Sequence, residues 1–148
     1  MLSHRILWIG RRAQDPLITA AESYTKRIRH YANIDIVMLR DGSPEQEESR
    51  LLKHLPQKDY IIALDERGHQ YTSKKWAHKI QSLEYESKNR LCYVVGGADG
   101  LTSRLRDMAN ETISLSSMTL PHRLALVVLL EQIYRAHTIM RGERYHRQ

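Results

Sequence analysis

The stretch LCYVVGG, residues 91–97, is an apolar run that two glycines close. A short apolar run bounded by turn residues is typical of a strand buried on both faces of a sheet. We predict further strands where similar runs occur, at residues 6–9, 34–39, 60–64 and 113–115. The segment Glu66-Arg67-Gly68-His69, which follows the run at residues 60–64, predicts a turn.

Longer amphipathic segments separate the strands and predict helices at residues 16–31, 44–55, 73–83, 101–109 and 121–140. Their start signals are Asp15-Pro16, Ser43, and Thr72 or Ser73, and Pro56 ends the second helix. Strands that alternate with helices indicate an α/β fold with a mostly parallel sheet of five to six strands. We expect helices on both faces of this sheet and one domain over residues 1–148.

The composition favours a basic protein of a reducing compartment. Lys plus Arg number 23 and Asp plus Glu number 17, a net charge of +6, which fits either a polyanionic partner or a merely soluble basic protein. The single cysteine, Cys92, cannot form an internal disulfide, so we expect a cytoplasmic location. We expect no membrane segment, and no Cys/His spacing suggests a metal site.

The last predicted helix is apolar on every side in its first half, from Leu124 to Ile133. Such a helix must be covered on every side. The cover is either a partner subunit, which favours a two-fold homodimer, or the core of a single subunit.

Three segments that follow predicted strands could line one pocket, because ligands of open α/β sheets bind outside the carboxyl ends of the strands. These segments are residues 64–68, 95–100 and 115–122. Each alone is also compatible with a plain turn or a helix cap. The chain has no G-x-x-x-x-G-K-[ST] loop, and no G-x-G-x-x-G follows the first strand.

The C-terminal segment Tyr145-His146-Arg147 follows Arg141 and Arg144. It is either a solvated basic tail or an arm that contacts RNA, in which arginine meets phosphate and an aromatic ring stacks on a base.

Five motifs in this order resemble the RlmH family of the SPOUT superfamily. They are IIALDERG at 61–68, VGGADGL at 95–101, LSSMTLPH at 115–122, EQIYRA at 131–136 and YHR at 145–147. The resemblance covers the whole chain and is sharpest from Tyr60 onward. It implies a C-terminal trefoil knot, a homodimer, S-adenosylmethionine as cofactor, and methylation of N3 of a pseudouridine in 23S rRNA of the ribosome.

The resemblance also implies roles for particular residues. The expected cofactor-binding residues are Leu64, Gly96, Leu115, Ser116, Ser117, Met118, Thr119 and Leu120. The acceptor nitrogen must lose a proton, so a base or an anion-stabilising cation is expected near it. The candidates for this role are His122, Arg135, Tyr145, His146 and Arg147.

One position departs from the family pattern, since Leu126 stands where relatives often carry arginine. Arg123 is then the candidate for the missing basic contact. Two other functions stay open at this point: a SPOUT methyltransferase that acts on another RNA, and a non-catalytic basic protein that binds the ribosome.

Overall fold

A parallel sheet is the centre of the computed structural model, which describes residues 1–147. Five strands run parallel in the order β2-β1-β4-β3-β5 within the described residues. Their bounds are β1 Ser3–Ile9, β2 Asn33–Leu39, β3 Tyr60–Gln70, β4 Arg90–Val95 and β5 Glu111–Ser114. The predicted parallel α/β sheet is confirmed, and the apolar run at residues 91–95 forms a central strand that ends before the two glycines.

Five helices connect the strands over the same residues. Their bounds are α1 Pro16–Ile28, α2 Pro44–His54, α3 Ser73–Tyr85, α4 Ser103–Met108 and α5 His122–Met140. The predicted caps form: the carboxylate of Asp15 accepts from the backbone N–H of Leu17, and Ser43 forms a capping box with Gln46. Thr72 rather than Ser73 caps α3, because its hydroxyl accepts from the N–H of Lys75.

Each face of the sheet has its own core. On one face, Ile6 and Trp8 of β1 pack in a cluster with residues of α1, α3 and α5. On the other face, Leu7 and Ile9 pack with Leu51 of α2 and Leu105 of α4. This alternation along β1 is the two-residue period of a strand, and it confirms the prediction of helices on both faces.

The turn predicted at residues 66–69 is wrong as a strand end, because β3 continues to Gln70. Both Leu64 and His69 pair with Ile113 of β5, so residues 65–68 bulge out of a ladder that resumes beyond them. Gly68 allows this, because a Cβ there would lie 2.7 Å from backbone atoms of Thr112 and Ile113. We call residues 65–68 the β3 bulge.

A buried polar chain lies under the C-terminal half of α5. Tyr93 Oη lies 3.1 Å from His4 Nδ1, and His4 Nε2 lies 2.9 Å from His137 Nε2. Burial lowers the pKa of His4 to about 3 and that of His137 to about 4, with the neighbouring charges of His137 and Arg141 contributing. Both imidazoles are therefore neutral at pH 7, and Tyr93 can donate to His4, which in turn donates to His137.

Helix α5 packs between α1 and α3 and is covered only in part. Leu126, Leu129, Leu130 and Ile133 are buried in the core, whereas Leu124, Val127 and Val128 stay half-exposed. Within residues 1–147 no helix is both long and apolar enough to cross a membrane. The trefoil knot implied by the resemblance stays a prediction.

Candidate active site

The β3 bulge and the carboxyl ends of β4 and β5 meet at a cleft of about 230 Å³. These three strands are neighbours in the sheet, and so the bulge and the segments after β4 and β5 converge. Of the predicted cofactor residues, all but Ser117 line the cleft, and Ser117 is exposed. His122 and Ala125 at the start of α5 also line it.

Side-chain hydrogen bonds fix two walls of the cleft. The hydroxyl of Thr119 donates to Oε2 of Glu66 at 2.7 Å, which ties the segment after β5 to the β3 bulge. Ser116 forms a local turn, since its hydroxyl accepts from the backbone N–H of Met118 at 3.0 Å and its carbonyl accepts from Ser114. The cleft therefore has a defined shape before any ligand enters.

Asp65 supplies a buried negative charge to one wall. Its side chain is only 6% exposed and accepts from Nε of Arg67 at 2.9 Å, while Arg106 lies 3.7 Å away. The hydrogen bond from Arg67 is the main cause that lowers the pKa of Asp65. Asp65 is therefore ionised at neutral pH, and Glu66 and Asp99 add two acidic groups to the same lining.

Gly96 is needed for the closure of its own loop. A Cβ there would lie 2.8 Å from the carbonyl carbon of Gly100 and 3.0 Å from Leu101, because the loop folds back through a bridge between Gly97 and Gly100. Gly100 has φ +74°, a conformation that glycine adopts at little cost. Gly96, a predicted cofactor-binding residue, therefore also has a role in the packing of its loop.

Trp8 holds His122 in place, a contact that the sequence did not reveal. The indole Nε1 donates to the carbonyl of His122 at 2.9 Å, and the two rings stack with centroids 5.3 Å apart. Trp8 is fully buried in β1, more than a hundred residues before His122. Only the packing of α5 across the sheet brings them together.

Arg123 is engaged in a structural contact. Its Nη1 lies 2.9 Å from Oδ2 of Asp15, so it joins the start of α5 to the start of α1. Leu126 is fully buried in the core. Leu126 therefore contributes apolar packing, and the role of Arg123 as a basic contact of the site stays a prediction.

The C-terminal segment folds back on α5 around Glu131. Arg135 donates to Glu131 at 2.7 Å, and the hydroxyl of Tyr145 donates to the same oxygen at 2.8 Å. Nδ1 of His146 lies 3.1 Å from Nη1 of Arg135, and this nitrogen must accept because a guanidinium can only donate. Burial and the bond to Glu131 raise the pKa of Tyr145, so its phenol stays protonated. The spacing of Glu131 in the sequence gives no sign of this anchoring role.

Four predicted catalytic residues lie away from the cleft of their own chain. Arg135 follows His122 by 13 positions (135 minus 122) on one helix, which corresponds to about 20 Å along its axis. Tyr145 and His146 contact this distant part of α5, and Arg147 is exposed beside them. One chain thus has two separate groups: the cleft with His122, and a tail cluster of Arg135, Tyr145, His146 and Arg147.

Comparison with known proteins identifies the class of protein to which this fold belongs. A family profile described as "Predicted SPOUT methyltransferase" matches residues 2–146. A solved structure described as a probable methylase family protein from Haemophilus influenzae Rd KW20 has a TM-score of 0.56 and covers 98% of this chain and 70% of its own. At 12% identity this second likeness shows the fold alone.

Curated relatives narrow the family. The protein from Anaeromyxobacter sp. is 38% identical over 97% of this chain and 98% of its own length. The protein from Natranaerobius thermophilus is 35% identical over 98% of this chain and 99% of its own length. The protein from Desulfovibrio desulfuricans is 42% identical over 86% of this chain and 86% of its own length. All three are named ribosomal RNA large subunit methyltransferase H. The chain belongs to this family of SPOUT methyltransferases.

Proposed function

We propose that the protein transfers a methyl group from S-adenosylmethionine to N3 of a pseudouridine in 23S rRNA of the large ribosomal subunit. The observation that carries this proposal is the cleft formed by the β3 bulge and the segments after β4 and β5, in a chain of the methyltransferase H family. The names of the relatives support large-subunit rRNA as substrate. The identity of the base and atom rests on the family resemblance.

The lining of the cleft fits this cofactor. Leu64, Leu115 and Leu120 offer apolar surface to an adenine ring, and the glycine-rich loop after β4 offers backbone groups. Glu66 and Asp99 are acidic lining residues, which suits a ligand that carries sulfonium and ammonium charges, whereas Arg67 of the same lining pairs with Asp65. The cofactor, when bound, supplies an electrophilic methyl group.

The protein residues then position the base and assist the loss of one proton from its acceptor nitrogen. Methyl transfer benefits mainly from alignment and exclusion of water. His122 is the predicted residue already at the cleft, where Trp8 holds it. Arg135 is held cationic by Glu131 and suits stabilisation of an anionic base, whereas the protonated phenol of Tyr145 suits hydrogen bonding rather than proton removal.

A homodimer would reconcile the two separated groups. The half-exposed apolar side chains of Leu124, Val127 and Val128 offer an interface on α5. The tail cluster lies too far from the cleft of its own subunit to act there. Across a two-fold axis, it can face the cleft of the other subunit. We therefore propose a composite active site, with the tail acting on the partner subunit.

Calorimetry tests the cofactor site. Ala125→Phe projects a ring into the cleft from the rigid start of α5 and should abolish S-adenosylmethionine binding while circular dichroism stays unchanged. This variant is preferable to Gly96→Val, which would also break the loop at Gly100. Unaltered binding by a folded Ala125→Phe protein would remove this cleft from the proposal.

Mass spectrometry of RNA tests the substrate. A strain that lacks the gene should lose one methyl group from a pseudouridine of 23S rRNA, and the purified protein should restore it. Loss from tRNA instead would favour a SPOUT methyltransferase acting on another RNA. No change in any RNA, together with no cofactor binding, would favour a non-catalytic ribosome-binding protein.

Mixed dimers test the composite site. One subunit ends at Arg144, and the other is full length but carries Ala125→Phe; two affinity tags isolate the heterodimer. If the tail acts on the partner, the intact cleft faces the intact tail and the heterodimer keeps one working site. An inactive heterodimer would show that tail and cleft belong to the same subunit.

A further inference from the structure

The loops after β1 and β2 form a basic surface at the edge of the sheet that also carries the cleft. Gly10, Arg11 and Arg12 follow β1, and Arg40 and Asp41 follow β2; with Met38 they line a depression of about 360 Å³. The backbone N–H of Gly10 donates to the carbonyl of Leu39 at 2.8 Å, which holds the two loops side by side. We call Arg11, Arg12 and Arg40 the arginine edge.

Arg11, Arg12 and Arg40 follow the carboxyl ends of β1 and β2, whereas Lys26 and Arg29 lie at the end of α1, before β2 begins. Arg5 lies in β1 and pairs with Asp35, and Arg27 lies on the aromatic rings of Tyr24 and Tyr134. In contrast, the exposed side chains of Arg11 and Arg40 take part in no ion pair within residues 1–147.

Arg12 pairs with Glu22 at 2.5 Å, and its side chain is 73% exposed. An ion pair this exposed contributes little to stability and exchanges readily for another anion. Asp41 is an acidic residue at the same surface. Arg50 adds a guanidinium beside it, since its Nη1 donates to the carbonyls of Arg40 and Asp41 at 3.0 Å and holds the backbone of the turn.

The arginine edge is close to the cleft. Neighbouring strands lie about 4.8 Å apart, and β1 is next to β4 with β2 beyond it. The ends of β1 and β2 are therefore roughly 5 and 10 Å from the end of β4, where the cleft begins. Trp8 contacts both regions: a Cβ on Gly10 would overlap its indole, and the same indole stacks on His122.

We infer that the arginine edge binds backbone phosphates of the RNA strand on one side of the nucleotide held in the cleft. This inference rests on the proposed function, because it takes RNA as the substrate. Exposed guanidinium groups, of which those of Arg11 and Arg40 take part in no ion pair within residues 1–147, suit phosphate oxygens, which they contact in bidentate geometry. Such contacts carry affinity and register and leave the choice of base to the cleft.

The test replaces all three residues, in the variant Arg11→Gln/Arg12→Gln/Arg40→Gln. The matched control, Lys53→Gln/Lys58→Gln/Lys88→Gln, removes three exposed charges from α2 and from the turns that precede β3 and β4, away from the cleft edge. The probe is purified large ribosomal subunits from a strain that lacks the gene. Binding is measured from 50 to 200 mM salt, and methyl transfer is measured separately at saturating cofactor.

The arginine-edge variant should bind the subunits about tenfold more weakly at the lower salt, and the slope of log K against log salt should become shallower by about 2. Its KM for subunits should rise by a similar factor, while kcat and cofactor binding stay close to wild type. The control should match wild type in both slope and KM.

Two results would overturn the inference: wild-type affinity and slope in the arginine-edge variant, or an equal loss in the control, which would show a non-specific charge effect. Binding is scored without methyl transfer. Failure of the wild-type protein to methylate the subunits would therefore refute the proposed function, while the salt slopes would still decide for or against the arginine edge.

Discussion

The buried pair of His4 and His137 predicts a steep loss of stability under mild acid. The pKa of each imidazole lies below its ordinary value of 6.5, at about 3 for His4 and about 4 for His137. As pH falls through 6.5, the unfolded chain takes up protons that the folded chain does not. Stability is therefore fully present above pH 6.5 and decreases toward the folded pKa values.

The magnitude follows from these values. Between pH 7 and pH 5 each histidine should remove about 2 kcal/mol from the free energy of unfolding, or about 4 kcal/mol for the pair. That is a large part of the stability of an ordinary domain. Both side chains are buried, at 1% and 5% exposure, so solvent screening reduces the effect little.

Urea denaturation at pH 7, 6 and 5 measures this loss. His137→Gln should flatten the pH dependence by about half, since one titrating group is gone. His78→Gln, at an exposed position of α3, is the matched control and should leave the slope unchanged. A wild-type stability that changes by less than about 1 kcal/mol between pH 7 and pH 5 would refute the neutral, hydrogen-bonded pair.

Three further changes have defined outcomes. Gly68→Ala should lower the free energy of unfolding by about 2 kcal/mol, because its Cβ would press on the backbone of β5; wild-type stability in urea would contradict the bulge geometry. Tyr145→Phe should remove about 1 kcal/mol of tail anchoring and speed tryptic cleavage after Arg144 without altering cofactor binding; an unchanged cleavage rate would argue against the bond to Glu131. Trp8→Phe should lower melting temperature and methyl transfer together, since His122 loses its indole donor, and full activity would remove Trp8 from any positioning role.

The architecture could be predicted because strand and helix signals are local. The apolar runs at residues 6–9 and 91–97 and the caps at Asp15 and Ser43 depend on neighbouring residues, and each forms as predicted. The bulge in β3 could not be found in this way. Gly68 suggests a turn on its own, and only the register of β5 shows that the strand resumes at His69.

The candidate site was predictable in part for a similar reason. Two of the three segments follow the ends of β4 and β5, and parallel strands bring their carboxyl ends to one edge, where the β3 bulge also lies. The contacts of Trp8 with His122, and of Glu131 with Tyr145, depend on how α5 and the tail pack, for which no periodicity or spacing is diagnostic. The separation between tail and cleft also emerges only when the length of α5 is known.

The β3 bulge has a consequence for how this family can diversify. Its four residues leave and rejoin the sheet at paired positions, so the ladder clamps both ends of the excursion. Lengthening such a clamped loop costs little, about 0.6 kcal/mol for a doubling, and need not shift the pairing on either side. The bulge is therefore a natural grafting point, where segments exchanged between relatives could reshape one wall of the cleft while the surrounding scaffold stays intact.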